Sequence, residues 1–162
     1  MKYCPHCAAE LQDGLVDQKI RQQCSAGCGF VHWNNPIPVV AAIVEYQGQV
    51  LLARNRAWPE SWFALITGFL EQNETPESAV LRELEEELGL SGDIEGFVGN
   101  YPFFEQNQLL LVFHLRAFGE IRLGEEIAEV KLLPESEVRP WPMGTGHGLR
   151  DWLERRRQGS LD

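Results

Sequence analysis

The chain of 162 residues is long enough for one ordinary domain, or for one domain with a small appendage. Hydrophobic residues make up 44% and charged residues 23%, which is the composition of a globular protein and excludes a disordered one. Acidic residues outnumber basic ones 24 to 14, and a formal net charge of −10 argues against a protein that binds nucleic acid through its phosphates.

The sequence contains no apolar run that approaches the roughly 20 residues needed to span a bilayer. Residues 1–5 contain no apolar signal segment either. We therefore expect no membrane partner and no nucleic-acid partner, and a cytoplasmic location in which thiols stay reduced.

The N-terminal segment differs from the rest of the chain, because all four cysteines lie within the first 28 residues. Residues 34–38 (NNPIP) read as a linker, since each proline forces the residue before it into extended geometry. We therefore predict a small domain at residues 1–34 and a second domain at residues 35–162.

Two short cysteine hooks, separated by sixteen residues, are formed by Cys4, Cys7, Cys24 and Cys28. Two thiolates at such spacing reach one ion, and four of them complete the closed tetrahedral site of a structural zinc. A segment of this length cannot bury enough surface to fold by itself, so a bound metal would stabilise it. A redox-active pair, disulfides or unconnected thiols are the alternatives, and His6 and His32 are alternative zinc ligands.

Apolar runs beyond the linker predict strands at residues 39–45 and 50–53, joined by a turn at Gln47 and Gly48. A short strand at 63–66 is expected to run into a loop at Thr67 and Gly68. Further strands are predicted near 94–101, 109–118 and 129–133. A last helix follows residues 144–147, with Leu149, Trp152 and Leu153 on one face.

Residues 76–88 form the clearest predicted helix, with Thr75 as N-cap, Pro76 at the first helical position and Gly89 as the C-terminal stop. The order of strands and helices predicts an α/β fold with a mixed sheet between helices.

Glutamates crowd the second half of this helix, and Glu83, Glu86 and Glu87 fall within about 100° of one another. They border the apolar stripe of the helix, so they do not lie on its far solvent face. Like charges at this spacing cost about 0.2–0.5 kcal/mol per pair. Mg²⁺ or Mn²⁺, which prefers oxygen ligands, would remove that repulsion. The alternative is a solvated acidic face with Arg82 as its counter-charge.

The segment from Gly68 to Leu90 fits the pattern G-x5-E-x7-R-E-L-x-E-E-x-G-L at every fixed position. In this segment the chain resembles the Nudix hydrolases. The resemblance implies a Nudix-type α/β/α sandwich with a mixed sheet. It also implies a metal-dependent pyrophosphohydrolase, which cleaves a nucleoside diphosphate linked to another group into two monophosphates, with Mg²⁺ or Mn²⁺ as the catalytic ion.

The same resemblance implies roles for individual residues. Glu83 and Glu87 would be the principal metal ligands, and a backbone carbonyl at Thr67 or Gly68 would complete the set. Three acids are candidates for a catalytic role: Glu86 as a ligand or base, Glu87, and Glu126 as a metal ligand or base outside the segment, with Glu129 as second choice after Glu126. A solvated loop is the alternative for Glu126. Glu71 would lie near the metals, whereas Arg82 and Glu74 would fix the loop to the helix.

A four-cysteine zinc ribbon before a Nudix domain resembles the NADH pyrophosphatase and ADP-ribose pyrophosphatase branch. Those NADH enzymes carry S-Q-P-W-P-F-P-x-S where this chain has residues 100–108, which keep only Pro102 and the aromatic Phe103. Substrates of the NADH, ADP-ribose or FAD type therefore stay open. Tyr101, Phe103 and Phe104 are candidates to stack on a substrate ring, with core or interface packing as the alternative.

The branch implies a small-molecule nucleotide as partner and a homodimer as assembly. The rival function is a non-catalytic nucleotide-sensing protein of Nudix-like fold.

Overall fold

A computed structural model of the chain describes residues 1–159, so the last three residues of the predicted 35–162 domain lie outside the described part. The chain divides into two compact units, Met1–Asn35 and Pro36–Asp162. Neither helix of the described residues has the length and apolar character needed to cross a membrane.

The N-terminal unit is a three-stranded antiparallel sheet that the sequence patterns had not predicted. Its strands are β1 (Leu11–Val16), β2 (Lys19–Cys24) and β3 (Val31–His32), in the order β1-β2-β3. Asp17 and Gln18, both at positive φ, make the tight turn between β1 and β2. The buried hydrophobic side chains of this unit, within the described residues, are Cys4 and Cys24. An apolar core therefore does not hold this unit together.

The C-terminal unit is a six-stranded mixed sheet with one helix on each face. The elements are β4 (Ile37–Tyr46), β5 (Gln49–Asn55), β6 (Ile66–Phe69), α1 (Pro76–Leu88), β7 (Ser91–Phe103), β8 (Gln108–Phe118), β9 (Ile127–Leu133) and α2 (Gly146–Gly159). The strands lie in the order β7-β8-β4-β5-β9, and β6 pairs with β4. Strands β4 and β8 are parallel, and the other pairs are antiparallel.

Strand β4 lies at the centre and contributes to a core on each face of the sheet. Val40, Ala42 and Val44 pack in the core that contains Leu84 and Leu88 of α1. The alternate residues Val39, Ala41 and Ile43 pack in the core that contains Leu149, Trp152 and Leu153 of α2. A strand covered on both faces is apolar throughout, as this one is. The predicted α/β/α sandwich is confirmed.

Two predicted boundaries were wrong. The short strand covers residues 66–69 instead of 63–66, because Thr67 and Gly68 pair with Ala41 and Val40 of β4. The preceding residue Ala64 forms an isolated bridge with Ala53. The proposed linker also extends too far, since β4 begins at Ile37 and pairs there with β8. Both errors concern pairing with strands that are distant in sequence.

The ends of α1 follow the prediction. The Thr75 hydroxyl accepts the Ser78 backbone N–H at 3.2 Å, and the Ser78 hydroxyl accepts the Thr75 N–H at 3.0 Å. Gly89 ends the helix at φ 65°, and its N–H donates to the Glu85 carbonyl over 2.8 Å. Local sequence therefore fixes both ends of the helix that carries the glutamates.

Candidate functional site

Glu83 lies directly against the backbone of Gly68, where β6 passes α1. A Cβ at position 68 would overlap the carboxyl carbon of Glu83. A larger residue at this position would therefore displace the Glu83 carboxylate, and Thr67 beside it has the ordinary backbone of a strand. This contact aligns the carboxylate of Glu83 with the strand that precedes the helix.

Arg82 ties the loop before α1 to the glutamates of the helix. Its Nε and Nη2 donate to both carboxylate oxygens of Glu74 at 2.8 and 3.0 Å, and Nη2 also donates to the Phe69 carbonyl at 3.1 Å. Its Nη1 donates to Glu83 at 2.7 Å and to Glu86 at 3.0 Å. The Arg82 guanidinium lowers the pKa of Glu74. Arg82 and Glu74 thus fix loop to helix, as the resemblance implied.

Glu87 is the most perturbed carboxyl group of the helix. Burial, together with the charges of Glu83, Glu126 and Glu86, raises its pKa to about 8. Burial also raises the pKa of Glu83, although Arg82 opposes this shift. Burial and neighbouring like charges disfavour the ionised form of a carboxyl group, and a cation bound beside it favours that form.

The loop before β9 is held against the C-terminal end of α1 by backbone contacts. The Arg122 N–H donates to the Leu88 carbonyl at 2.7 Å, and the Gly124 N–H donates to the Glu87 carbonyl at 2.8 Å. A Cβ at Gly124 would overlap the backbone carbonyl oxygen of Glu86. These contacts satisfy carbonyls that the helix end leaves free, and they bring the loop alongside the glutamates.

Glu126 is exposed in this loop and is held by the end of β5. The Asn55 Nδ2 donates to Glu126 Oε2 at 3.4 Å, while the Ala57 N–H donates to Asn55 Oδ1 at 2.9 Å. The Arg56 N–H donates to the Glu126 carbonyl at 2.8 Å, and Arg56 Nε donates to the Glu125 carbonyl at 2.7 Å. Sequence reasoning missed Asn55 and Arg56. The sequence feature that could have indicated them is the polar run directly after the buried strand β5.

The four acids of this site offer only oxygen ligands, which suits Mg²⁺ or Mn²⁺. They are neighbours in space, since the charges of three of them shift the pKa of Glu87. Their carboxylate oxygens do not lie as close together as the four cysteine sulfurs of residues 1–159, which are all within 4.8 Å of one another. Glu71 is exposed, and its backbone N–H donates to Glu74 at 3.2 Å. The ligand atoms, all of them oxygens, thus have the chemical type that a divalent cation such as Mg²⁺ prefers.

The three aromatic residues predicted for substrate binding line one cavity. It has a volume of about 240 Å³. Phe103 is half-buried and Phe104 is 84% exposed, so a ring of Phe104 is open to a ligand. The Tyr101 hydroxyl donates to Asp151 at 2.9 Å, and burial together with this bond raises its pKa to about 12. The lining is Tyr101, Pro102, Phe103, Phe104, Glu105, Pro142, Met143, Gly144 and His147.

The sequence did not indicate that Met143 and His147 belong to this cavity. His147 lies in the first turn of α2 beside the cavity. His114 of β8 lies elsewhere and makes a 2.9 Å contact with Glu45. The cavity therefore combines aromatic rings with one imidazole and one thioether.

The four cysteine sulfurs of the N-terminal unit lie within 4.8 Å of one another. The Sγ atoms are 3.5 Å apart for Cys4 and Cys28 and 3.4 Å apart for Cys7 and Cys24, too far for disulfide bonds of about 2.05 Å. The Cys28 backbone N–H, directed at the sulfur of Cys24, lowers the pKa of that thiol to about 6. The His6 ring packs on Phe30 instead. This geometry is consistent with a zinc ribbon.

The family model of the NUDIX domain matches residues 35–154. The chain belongs to the Nudix family. One relative is the NAD-capped RNA hydrolase NudC of Vibrio vulnificus (strain CMCP6), 26% identical over 152 residues, or 90% of this chain and 56% of the relative. Another of that name, from Mycobacterium bovis (strain BCG / Pasteur 1173P2), is 35% identical over 106 residues, or 62% of this chain and 33% of the relative. This Nudix chain thus spans about half of one relative and a third of the other.

Solved structures agree with the family assignment. A NUDIX hydrolase from Nitrosomonas europaea is 28% identical with a TM-score of 0.83, and the match covers 98% of this chain and 94% of that one. An ADP-ribose pyrophosphatase from Streptococcus suis 89-1591 is 18% identical with a TM-score of 0.62, over 76% of this chain and 93% of that one. The second similarity shows that the two proteins share the Nudix fold.

The contact between Gly68 and Glu83 leads to a testable prediction. Gly68→Ala would displace the Glu83 carboxylate, so we expect Mn²⁺ affinity to fall by about tenfold or more, measured by calorimetric titration. Gly96→Ala in β7 is the matched control, because no atom beyond its two chain neighbours lies within 4 Å of a Cβ built there. Unchanged Mn²⁺ binding by a folded Gly68→Ala variant would contradict the assignment.

The raised pKa of Glu87 predicts how stability depends on pH without divalent metal. The folded state keeps the Glu87 proton up to a pH of about 8, whereas the unfolded state releases it near its ordinary value of 4.5. The folded state therefore binds more protons over this window, and its contribution makes the free energy of unfolding fall as pH rises. Urea denaturation in EDTA from pH 5 to 8 should show a shallower fall for Glu87→Gln than for wild type.

The control for this measurement is Glu85→Gln, on an exposed position of the same helix. It should keep the wild-type pH dependence. Identical slopes for wild type and Glu87→Gln would show that Glu87 is not the group responsible.

Proposed function

We propose that this protein is a metal-dependent hydrolase that cleaves the pyrophosphate bond of a nucleoside diphosphate linked to another moiety. The products are two monophosphates, and the substrate is of the NADH, ADP-ribose or FAD type. The observation that carries the proposal is the half-buried Glu87, whose pKa rises to about 8 in the company of Glu83, Glu86 and Glu126. Such an arrangement is costly unless a cation and a polyanion use it.

The proposed metal ligands are the carboxylates of Glu83, Glu86, Glu87 and Glu126 and the backbone carbonyl of Gly68. When bound, Mg²⁺ or Mn²⁺ would neutralise phosphate charge and favour attack by water. The chemistry of the donors and the close approach of Glu83 to Gly68 support this set. An acidic protein can hold an acidic substrate in this way because cations lie between the two.

The reaction needs a base, and Glu126 or Glu86 would take the proton from the attacking water. The water oxygen forms a bond to one phosphorus, the P–O bond of the bridge breaks, and the bridging oxygen leaves on the other phosphate. Asn55 and Arg56 would keep Glu126 in position through their hydrogen bonds. Arg82 would keep Glu83 and Glu86 oriented while Glu74 anchors it.

The aromatic cavity would bind a ring of the substrate. Phe104 offers an exposed face, and Phe103 is a second aromatic wall beside it. Since the Tyr101 hydroxyl already bonds Asp151, Tyr101 would contribute its ring instead of its hydroxyl. We also propose a cytoplasmic homodimer as the working form.

The NudC relatives are named for NAD-capped RNA, which also contains a nucleoside linked through a diphosphate. The net charge of −10 would repel the phosphates of an RNA chain. We therefore favour a small nucleotide as substrate. Hydrolysis of a capped RNA faster than of the free dinucleotide would overturn this preference.

Residues 1–34 would form a structural zinc ribbon with Cys4, Cys7, Cys24 and Cys28 as ligands. The sulfur positions support this proposal, and so does the shortage of other buried side chains among the described residues of the N-terminal unit. Zinc would then stabilise this unit and take no part in hydrolysis.

A panel of NADH, ADP-ribose, FAD and NAD-capped RNA, assayed with Mg²⁺ and then Mn²⁺, tests the function. We expect wild type to release monophosphates and Glu87→Gln to lose activity by orders of magnitude while it stays folded. Glu85→Gln should keep wild-type activity because its side chain is exposed. Binding of these compounds without hydrolysis would favour a non-catalytic nucleotide sensor.

Zinc removal should affect the stability of the N-terminal unit but not the hydrolysis carried out by the C-terminal unit. A zinc-selective chelator in excess Mg²⁺ should lower the unfolding temperature of the N-terminal unit, whereas nucleotide hydrolysis persists, because the metals proposed for catalysis bind elsewhere. Cys7→Ser should act like the chelator. Complete loss of hydrolysis with the C-terminal unit still folded would contradict the scaffold role.

A further inference from the structure

Arg54 lies near the end of β5, beside the residues that hold Glu126. Its neighbour Asn55 donates to Glu126, and Arg54 itself pairs in register with Glu129 of β9. The register shifts between Arg54 and Asn55. A bulge of this kind re-aims side chains, and here Asn55 faces Glu126 while Arg54 faces Glu129. Arg54 is therefore next in the chain to a residue that contacts Glu126, and it shares the face of β5 on which Leu52 packs in the α2 core.

The guanidinium of Arg54 is enclosed, but its donors are poorly used. The side chain is 16% exposed, and its Nη2 lies 3.4 Å from a Glu129 carboxylate that is itself 51% exposed. The Nε atom is buried and has no hydrogen-bond partner within residues 1–159. Buried polar groups in proteins are ordinarily satisfied, and a guanidinium has five N–H donors. Arg54 thus has a buried N–H donor, on Nε, that is free to bind an anionic acceptor.

The other arginines near the site are engaged more closely. Arg82 makes five hydrogen bonds of 2.7 to 3.1 Å, and Arg56 Nε donates to the Glu125 carbonyl at 2.7 Å. These two residues hold protein segments together. The contact between Arg54 and Glu129 does not serve that purpose as well, because it is long, at 3.4 Å, and its carboxylate is 51% exposed.

A second cation lies close to Arg54. Lys131 pairs with Leu52, one step along the same face of the β5–β9 pair, and its Nζ lies 3.8 Å from the centre of the Phe63 ring. Diagonal neighbours on one face of an antiparallel pair are about 7–8 Å apart. Two cations, Arg54 and Lys131, therefore neighbour Glu129 on this face of a chain whose net charge is −10.

We propose that Arg54 binds the diphosphate of the substrate, contacting phosphate oxygens that lie away from the glutamates of α1. This inference rests on the proposed function, since it names a residue that would bind that substrate class. The planar guanidinium matches two phosphate oxygens through parallel N–H···O bonds, which a lysine cannot reproduce. Glu129 is the partner of Arg54 without substrate, and the phosphate replaces it.

The test is a calorimetric titration with the α,β-methylene analogue of ADP-ribose, whose P–C–P bridge resists hydrolysis, in the presence of Mg²⁺. We expect Arg54→Gln to bind it about 10- to 100-fold more weakly than wild type, the loss of a charge-assisted hydrogen bond. Arg54→Lys should fall between the two. With a hydrolysable substrate, KM should rise more than kcat falls.

Arg116→Gln is the matched control, because Arg116 also forms an ion pair with one glutamate, Glu95, at 2.7 Å. It removes the same charge from a different strand and should bind the analogue like wild type. Thermal unfolding of all variants separates a loss of binding from a loss of structure.

Equal affinities of wild type and Arg54→Gln, or an equal loss in Arg116→Gln, would overturn the role of Arg54. Hydrolysis of ADP-ribose, NADH or FAD by the same samples would then leave the proposed function standing. A wild-type protein that neither binds the analogue nor hydrolyses any of these compounds would overturn both.

Discussion

Repulsion among carboxylates on one side of α1 is the constraint around which the site is built. Three glutamates border an apolar stripe, and Glu87 is too buried to disperse its charge into water. Arg82 offsets part of the repulsion through Glu83 and Glu86. Burial, together with the remaining repulsion, raises the pKa of Glu87 to about 8. Local instability of this kind is typical of residues kept for chemistry instead of folding.

The sheet holds the mutually repelling carboxylates in place, because its central strand β4 is buried on both faces. Strand β6 is attached to one edge of β4 and places Gly68 under Glu83. Strand β5 continues from the other end of β4 and carries Asn55 to Glu126. The acids of the helix and of the loop are thus positioned by neighbours of one rigid strand. Sites held by regular elements keep their geometry better than sites held by loops alone.

The sequence predicted those parts of the molecule that depend on local signals. The helix begins at Thr75 and Pro76 and ends at Gly89, as predicted, because caps act within a few residues. The spacing of the glutamates predicted which of them gather at one border. The start of β6 at Ile66 was missed, because β4, more than twenty residues earlier, determines it. The N-terminal strands carry too few buried side chains to produce a periodic signal.

The contacts of Asn55 and Gly124 were missed for the same reason. Each joins segments that are distant in the chain: Asn55 contacts Glu126, and Gly124 contacts the end of α1. A polar residue after a strand and a glycine in a loop are common in any sequence. Only the folded arrangement shows what they touch.

The attachment of the Gly124 loop to α1 through main-chain atoms bears on how such a site diversifies. Because carbonyls and amides make the bonds, most side chains of the loop are free to be exchanged during evolution without loosening the attachment. A bulkier residue at the glycine would break it, and so would a proline at position 122 or 124, which has no N–H to donate. Apart from Glu126 and Ile121, which packs against the core, the loop is therefore a segment where a protein engineer could vary side chains while the backbone attachment persists.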